Sequence, residues 1–382
     1  MSTTPPTLVH KRVTIFSLYP APPCTIPVPA LLKENQLLSE TMVRTKNEIN
    51  HQKKWDIAKK YTNEYEFVFS LNNEGVADFV PISRSFFKLV EIVYDTHLFE
   101  TLRVEPSGIV AACLCEGPGG FVQALTYIAS KKQIPVRNIY GISLITKDRR
   151  IPNWKIKNSN VVRLCGGKNG SGDLYHIDNI HHFSDEVGRG ACHLVTADGG
   201  FDFSHDFNRQ EIDFARLFLA EIYTAALVQK NGGTFVVKVF DLFQETTVLC
   251  TCVLASLYAS ITLHKPSTSR PANSERYLIC EGYNAEPRVV EGLRAAVLVT
   301  DDARRYSALR SIVSDELFHA VLGQLVAINR DFAANQRVYI EKALHALRDS
   351  NRLTLLASKR MHIDRCIEWC RRYDIPVKKH HK

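Results

Sequence analysis

At 382 residues the chain is long enough to bury one large α/β core and still carry flanking segments. Apolar residues make up 45% and charged residues 23% of it, which excludes wholesale disorder, and no apolar run approaches the roughly eighteen residues of a membrane span. A net charge of +8 fits either a polyanionic partner or a surface that is merely basic. The expectation is a soluble protein, not secreted, that contacts no membrane. Ten cysteines without a C-x-x-C spacing read as reduced intracellular thiols, so neither a disulfide framework nor a metal site is expected.

Residues 1–30 hold seven of the sixteen prolines and should be extended, an arm with at most a short strand from Val13 to Leu18. From Leu31 to Tyr61, apolar positions alternate with Arg44, Lys46, Lys53, Lys54, Lys59 and Lys60, the pattern of amphipathic helices whose basic face is either solvated or phosphate-binding. Ser83-Arg84-Ser85-Phe86-Phe87-Lys88-Leu89-Val90 reads as a helix opened by a serine cap, with Lys88 beside its apolar stripe. The run 108–112 is a buried strand, and Cys113-Leu114-Cys115-Glu116-Gly117-Pro118-Gly119-Gly120-Phe121 turns it through a glycine loop into a helix. Such a turn lets a ligand approach the backbone and the helix N-terminus, or is simply a tight connection. Its spacing is neither G-x-G-x-x-G nor a phosphate loop ending in Gly-Lys-Ser/Thr.

Further strands are expected near Asn138–Leu144, Val161–Cys165, Cys192–Thr196, Thr234–Val239, Ser260–His264 and Arg276–Cys280, with a helix from Glu211 to Gln229. This β-α alternation implies a mainly parallel sheet with helices on both faces and a ligand crevice at the carboxyl ends of its strands. Helices are expected at Ser314–Leu325, Arg337–Asp349 and Ile363–Arg372, followed by a basic appendage: the last 25 residues hold eight Lys/Arg against three Asp/Glu.

Three polar residues fall at predicted strand ends: Asp198, Lys238 and Glu275. Lys238 interrupts an apolar strand, and an ammonium buried there needs carboxylates or must give up its proton. With Lys88 these residues form an ordered Lys-Asp-Lys-Glu set.

That set resembles the catalytic tetrad of the FtsJ/RrmJ-type ribose 2′-O-methyltransferases, and within them the mRNA cap-1 enzymes of eukaryotes and viruses. Ser83 to Leu89 resembles the family's Ser-Arg-x-x-x-Lys segment, Ala197 to Phe201 its aspartate motif, and Lys265 to Tyr277 its glutamate motif. The resemblance implies a class I methyltransferase (Rossmann-like) α/β fold over 76–285, with 1–75 as a proline-rich arm and basic helical extension and 286–382 as a helical C-terminal extension with a basic tail. It implies S-adenosylmethionine bound by Cys115, Glu116, Gly117, Pro118, Gly119, Gly120 and Phe121, with Asp173 on the adenine amino group. The catalytic residues would be Lys88, Asp198, Lys238 and Glu275, with Lys238 as a base whose pKa is lowered. Arg84, Asn208, Ser269, Arg270 and Asn273 would contact capped mRNA. The acid that holds the cofactor ribose in many relatives has no counterpart near Gly141-Ile142-Ser143-Leu144. Implied partners are capped mRNA and the capping or transcription machinery, in the nucleus for a cellular protein or the cytoplasm for a virus. The same chemistry on ribosomal or transfer RNA, and a silent RNA-binding scaffold, are the alternatives.

Overall fold

Six consecutive buried residues, Ile109–Leu114, make an interior strand, because a strand covered on both faces needs apolar side chains on both. In the computed structural model, which describes residues 15–381 apart from 51, 53, 70–73, 149, 157–158, 202–205 and 349–351, this strand belongs to an eight-stranded sheet. The strands are β1 (Ile15–Tyr19), β2 (Ile109–Leu114), β3 (Val136–Ile142), β4 (Val162–Cys165), β5 (Cys192–Ala197), β6 (Gln229–Val239), β7 (Tyr258–His264) and β8 (Arg276–Tyr283). Their order is β1-β7-β8-β6-β5-β2-β3-β4. Pairing is parallel from β6 through β5, β2 and β3 to β4, and antiparallel between β6 and β8, β8 and β7, and β7 and β1. The sheet is therefore mixed. No helix separates β7 from β8, so β8 returns antiparallel into the gap between β6 and β7.

The helices are α1 (Val28–Asn47), α2 (Trp55–Tyr61), α3 (Ser85–Asp95), α4 (Leu98–Thr101), α5 (Gly120–Lys131), α6 (Ile177–Val187), α7 (Gln210–Val228), α8 (Glu245–Leu257), α9 (Pro287–Leu298), α10 (Asp302–Arg310), α11 (Asp315–Arg348) and α12 (Arg352–Arg372). α3, α5 and the end of α12 share one apolar cluster with one sheet face, and α6 to α11 share another with the opposite face. This is the architecture of a class I methyltransferase, with two additions drawn into its body.

The first addition is the N-terminal segment. The short strand expected near Val13–Leu18 is β1, an edge strand of the sheet, and α1 packs along α11. A buried ion pair joins Lys46 of α1 to Asp241 beyond β6. The second is the C-terminal end, where Val377 bridges Ala77, Asp78 N donates to the Pro376 carbonyl at 2.6 Å and Lys378 N to that of Val76 at 3.0 Å. The chain as far as Lys378 is thus anchored structure, not a basic appendage. Lys382 and residues 1–14 lie outside the described residues.

α11 runs unbroken where two helices were expected. Its polar residues Asn329 and Gln336 interrupt the apolar pattern, yet both are buried and donate to the Leu242 and Ala272 carbonyls at 3.0 and 3.2 Å. The expected serine cap of α3 is also different, because Ser83 and Ser85 hydrogen-bond each other at 2.6 Å and neither caps the helix. All ten cysteines are unpaired thiols, and among the described residues no single helix is long and apolar enough to cross a membrane.

Candidate active site

β2, β5 and β6 end side by side, and the residues that follow them form a cleft of about 810 Å3. Cys115, in a left-handed conformation (φ 56°), turns the chain out of β2, and Gly117 and Pro118 carry it along the cleft wall to α5. Glycine is required at 117 because a Cβ would lie 2.4 Å from the Pro152 carbonyl oxygen. At 120 the reason differs: a Cβ would sit 2.1 and 2.2 Å from the Ser85 and Ser83 hydroxyls, so the start of α5 packs directly on the start of α3. Of the two readings the sequence left open, ligand approach or tight connection, the close neighbours at 117 and 120 fit the second: the Pro152 carbonyl and the start of α3. Glu116, Gly119, Gly120 and Phe121 are off the cleft wall. Phe121 is fully buried against Tyr277, with ring centroids 5.9 Å apart, and Glu116 is 4% exposed.

Strand register assembles the Lys-Asp-Lys-Glu set. Ala197 pairs with Val237, which brings the next residues, Asp198 and Lys238, together, while Lys238 pairs with Tyr277 on the other side. Lys238 Nζ lies 3.2 Å from Asp198 Oδ1 and donates to the Asp198 carbonyl at 2.7 Å; the Tyr277 hydroxyl donates to Asp198 Oδ1 at 2.8 Å. Glu275 stands immediately before β8 and meets Lys88, from α3, at 2.7 and 2.8 Å through its two oxygens. Asp198, Lys238 and Glu275 face the cleft, whereas Lys88 reaches Glu275 from behind the wall.

Burial draws Lys238 toward the neutral amine, but Asp198 and Glu275 outweigh it and the pKa ends above that of an ordinary lysine. This corrects the expectation of a lowered pKa: the carboxylates, Asp198 first and then Glu275, hold the ammonium. Burial likewise opposes ionisation of Glu275, and Lys88 and Lys238 overcome it, bringing its carboxyl down to about 2.

The residues expected to contact RNA are occupied within the protein. Ser269 is 1% exposed and donates to Glu275 Oε1 at 2.8 Å, so it orients the glutamate. Arg270 makes a two-pronged contact with Glu66 at 2.8 and 3.1 Å. Arg84 borders the cleft but donates to the carbonyls of Glu66, Phe69 and Thr268. Asn273 also borders it, and its Oδ1 accepts the Glu275 N–H at 2.8 Å. Asn208 lies off the cleft, bonded to Asn47 at 2.7 Å.

Two residues on the site were not legible in the sequence. Lys265 donates to the Asn273 and Glu275 carbonyls at 2.6 and 2.7 Å, closing the loop that presents the glutamate. Asp148 borders the cleft from the loop after β3, where no acid had been found, and hydrogen bonds from Arg150 bring its carboxyl down to about 2. It was missed because it lies six residues beyond the end of β3, past the window in which strand-end acids are sought.

Behind the cleft, Glu221 of α7 is fully buried and its carboxyl is pushed up to about 8, chiefly by burial. A carboxyl whose pKa is raised on folding contributes stability below its unfolded value near 4.5 and loses it as pH rises toward 8. Glu221→Gln is therefore expected to be more stable than the parent at pH 8 and equal to it below pH 4.5. Urea denaturation at the two pH values checks this; a constant difference would show that Glu221 is not neutral in the fold.

A sequence model of the FtsJ-like methyltransferases matches residues 81–283, more than half of the chain. The chain belongs to the FtsJ-like methyltransferase family. It is 32% identical over 247 residues to a Caenorhabditis briggsae protein named cap-specific mRNA (nucleoside-2′-O-)-methyltransferase 1A, and 31% identical over the same length to one from that organism named inactive, 1B. Identity is 36% over 179 residues to the Mus musculus cap-specific mRNA (nucleoside-2′-O-)-methyltransferase 1. These matches cover 60%, 60% and 45% of this chain and 28%, 28% and 21% of the relatives, so the chain matches about a quarter of their length.

FtsJ-like methyltransferases use S-adenosylmethionine, and the cleft suits it. Its wall is apolar for the most part, with the carboxylates of Asp173 and Asp148 at separate places along it. Asp173 Oδ1 accepts the Tyr175 N–H at 2.8 Å, and its Oδ2 lies 3.8 Å from His176 Nε2 at the cleft wall.

Proposed function

We propose that this FtsJ-like protein transfers a methyl group from S-adenosylmethionine to the ribose 2′-hydroxyl of the first transcribed nucleotide of N7-methylguanosine-capped mRNA. The observation that carries this reading is the arrangement of Lys238, Asp198 and Glu275 on one cleft wall with Lys88 paired behind them. The relatives named for the cap reaction support the choice of acceptor. The cleft volume of about 810 Å3 leaves room for a nucleotide beside the cofactor.

Cys115, Gly117, Pro118 and Asp173 would hold the cofactor, with Asp148 toward its ribose. When bound it supplies an electrophilic methyl on a positively charged sulfur, and that charge near Lys238 works against the carboxylates that hold the lysine's proton. Lys238, once neutral, accepts the hydroxyl proton as the oxygen attacks. Asp198, steadied by Tyr277, aims the amine, and Lys88 and Ser269 fix Glu275 beside it. Holding hydroxyl, methyl and sulfur in line can lower the barrier by roughly 7 to 11 kcal/mol.

The capped RNA would enter beside α2, where Lys59 and Phe207 border a cavity of about 70 Å3 that shares Gln210 and Asn273 with the cleft. Aromatic rings with cations suit a base and its phosphates. The reading is tested with labelled S-adenosylmethionine and matched capped and uncapped RNAs. Transfer to capped RNA alone, at the ribose of the first nucleotide, supports it. Equal transfer to uncapped RNA would move the substrate to another RNA class, and no transfer to either would make the protein a binding scaffold.

Asp173→Asn is expected to weaken S-adenosylmethionine binding by about 1 to 3 kcal/mol, roughly 5- to 150-fold in Kd, because it turns a donor toward a ligand donor while keeping an acceptor for Tyr175. Calorimetry on the variant measures it, and an unchanged Kd removes Asp173 from the cofactor contacts.

A further inference from the structure

Glu91 and Asp95 lie on α3 beyond Lys88, and the chemistry above uses neither. Glu91 is 0% exposed. One of its oxygens accepts the backbone N–H of Ser267, and the other accepts the Thr268 N–H at 3.1 Å, the Thr268 hydroxyl at 3.1 Å and the indole N–H of Trp369 at 3.2 Å. Asp95 is bonded to His264 Nε2 at 3.1 Å, and it accepts from the Tyr373 hydroxyl at 2.9 Å and from Arg372 at 3.0 Å. Each carboxylate thus holds two things at once. One is the stretch from the end of β7 into the loop that presents Ser269 and Glu275; the other is the C-terminal end of α12 and the residue after it.

Glu91, Asp95 and His264 also offer donor atoms within 4.8 Å of one another, the spacing of a metal cluster. The bonds just described argue against that use. The carboxylate oxygens are already taken up by N–H and O–H donors, two of them backbone amides of the loop, and Arg372 brings a positive charge to the same place. A buried carboxylate with this many donors is held by the protein itself.

We propose that α12 is part of the catalytic apparatus. Through the bond from Trp369 to Glu91 it fixes the 265–275 loop, so that Glu91 and Trp369 are positioning residues for the pair Lys88–Glu275. α3 carries both Lys88 and Glu91, one turn apart, so the helix that supplies the lysine also grips the loop that supplies its partner. Trp369 is itself seated against Phe87 and Tyr373, with ring centroids 5.7 and 4.6 Å away, which gives the clamp an apolar footing. The C-terminal region thereby gains a role in transfer without reaching the cleft. The proposal rests on the methyltransferase reading for its kinetic consequence and on the geometry alone for its effect on the loop.

Two variants of the full chain test it, Glu91→Gln and Trp369→Phe; the second keeps a six-membered ring in the apolar seat and removes the pyrrole ring with its N–H donor. Hydrogen exchange followed by mass spectrometry should show the 265–275 amides exchanging at least tenfold faster in both variants, with the strands unchanged. On capped RNA, kcat should fall about 10- to 100-fold for Glu91→Gln and several-fold for Trp369→Phe, while the Kd for S-adenosylmethionine stays within twofold. The double variant should be no slower than Glu91→Gln alone, since both act through one contact. Unchanged exchange in the 265–275 segment of Trp369→Phe overturns the proposal whatever the substrate proves to be. So does a loss of cofactor affinity as large as the loss of kcat, which would mark general unfolding. A parent protein that fails to methylate capped RNA refutes the substrate reading instead, and the exchange measurement still decides the clamp.

Discussion

Under the proposed function, Lys238→Ala is expected to abolish methyl transfer, with a loss of at least about 10² to 10⁴-fold in kcat, while S-adenosylmethionine and capped RNA continue to bind. The loss would fall on the transition state, because on this reading the amine meets the hydroxyl proton only as the bond to the methyl forms. Lys238→Arg is expected to be equally inactive. A guanidinium keeps the charge beside Asp198 but does not give up its proton near neutral pH. It must also find room next to Gly200, where a Cβ would come within 3.0 Å of Nζ, so cofactor affinity is measured on the same variant. Methyl incorporation at the first nucleotide of capped RNA is the readout. Substantial turnover by a well-folded Lys238→Arg would leave Lys238 as an electrostatic anchor and send the proton elsewhere. Because Asp198 and Glu275 hold Lys238 protonated, activity should rise with pH, and Asp198→Asn should move that rise to lower pH while reducing its plateau.

Glu275→Ala carries the largest expected structural effect within the site. It removes the partner of Lys88 and leaves that ammonium facing a buried, unfilled position, a change that costs about 3 to 5 kcal/mol when one member of a buried pair is lost. The Ser269 hydroxyl loses its acceptor at the same time. Since folding brings Glu275 from an ordinary value of 4.5 down to about 2, its contribution is complete above pH 4.5 and disappears as the pH falls through 2. The stability gap between parent and variant in urea should therefore be full at pH 7 and close between those two values. Transfer should fall with it at neutral pH, because Lys88 and Ser269 lose the group they hold beside the cleft and the arrangement around Lys238 is no longer fixed. A variant as stable as the parent at pH 7 would mean that the pair contributes nothing beyond its desolvation cost.

Local sequence determined the strands, the three polar residues at or near their ends, and Lys88 on its helix. Alternation of apolar runs with helical stretches is a property of neighbouring residues, and Lys238 stood out because a single ammonium within Phe235 to Phe240 has to be compensated. The order of the motifs along the chain was enough to assign the family. What composition left open was decided by contacts between residues far apart in sequence. Glu66 takes Arg270 from 204 positions away, and Glu91 takes Trp369 from 278, which pairs an expected RNA-contacting residue within the protein and creates an unexpected clamp. Asn329 and Gln336 look like breaks in a helix until Leu242 and Ala272 supply their acceptors. β1 is legible as a short strand, but only β7 shows which sheet edge it completes. The charge state of Lys238 belongs to the same class. Burial alone, which the apolar strand announces, favours the neutral amine; the carboxylates that reverse it arrive from β5 and from the loop before β8. Sequence specifies which groups must be compensated, and only the tertiary structure brings the compensating group, because burial costs are set locally and hydrogen-bond partners are not.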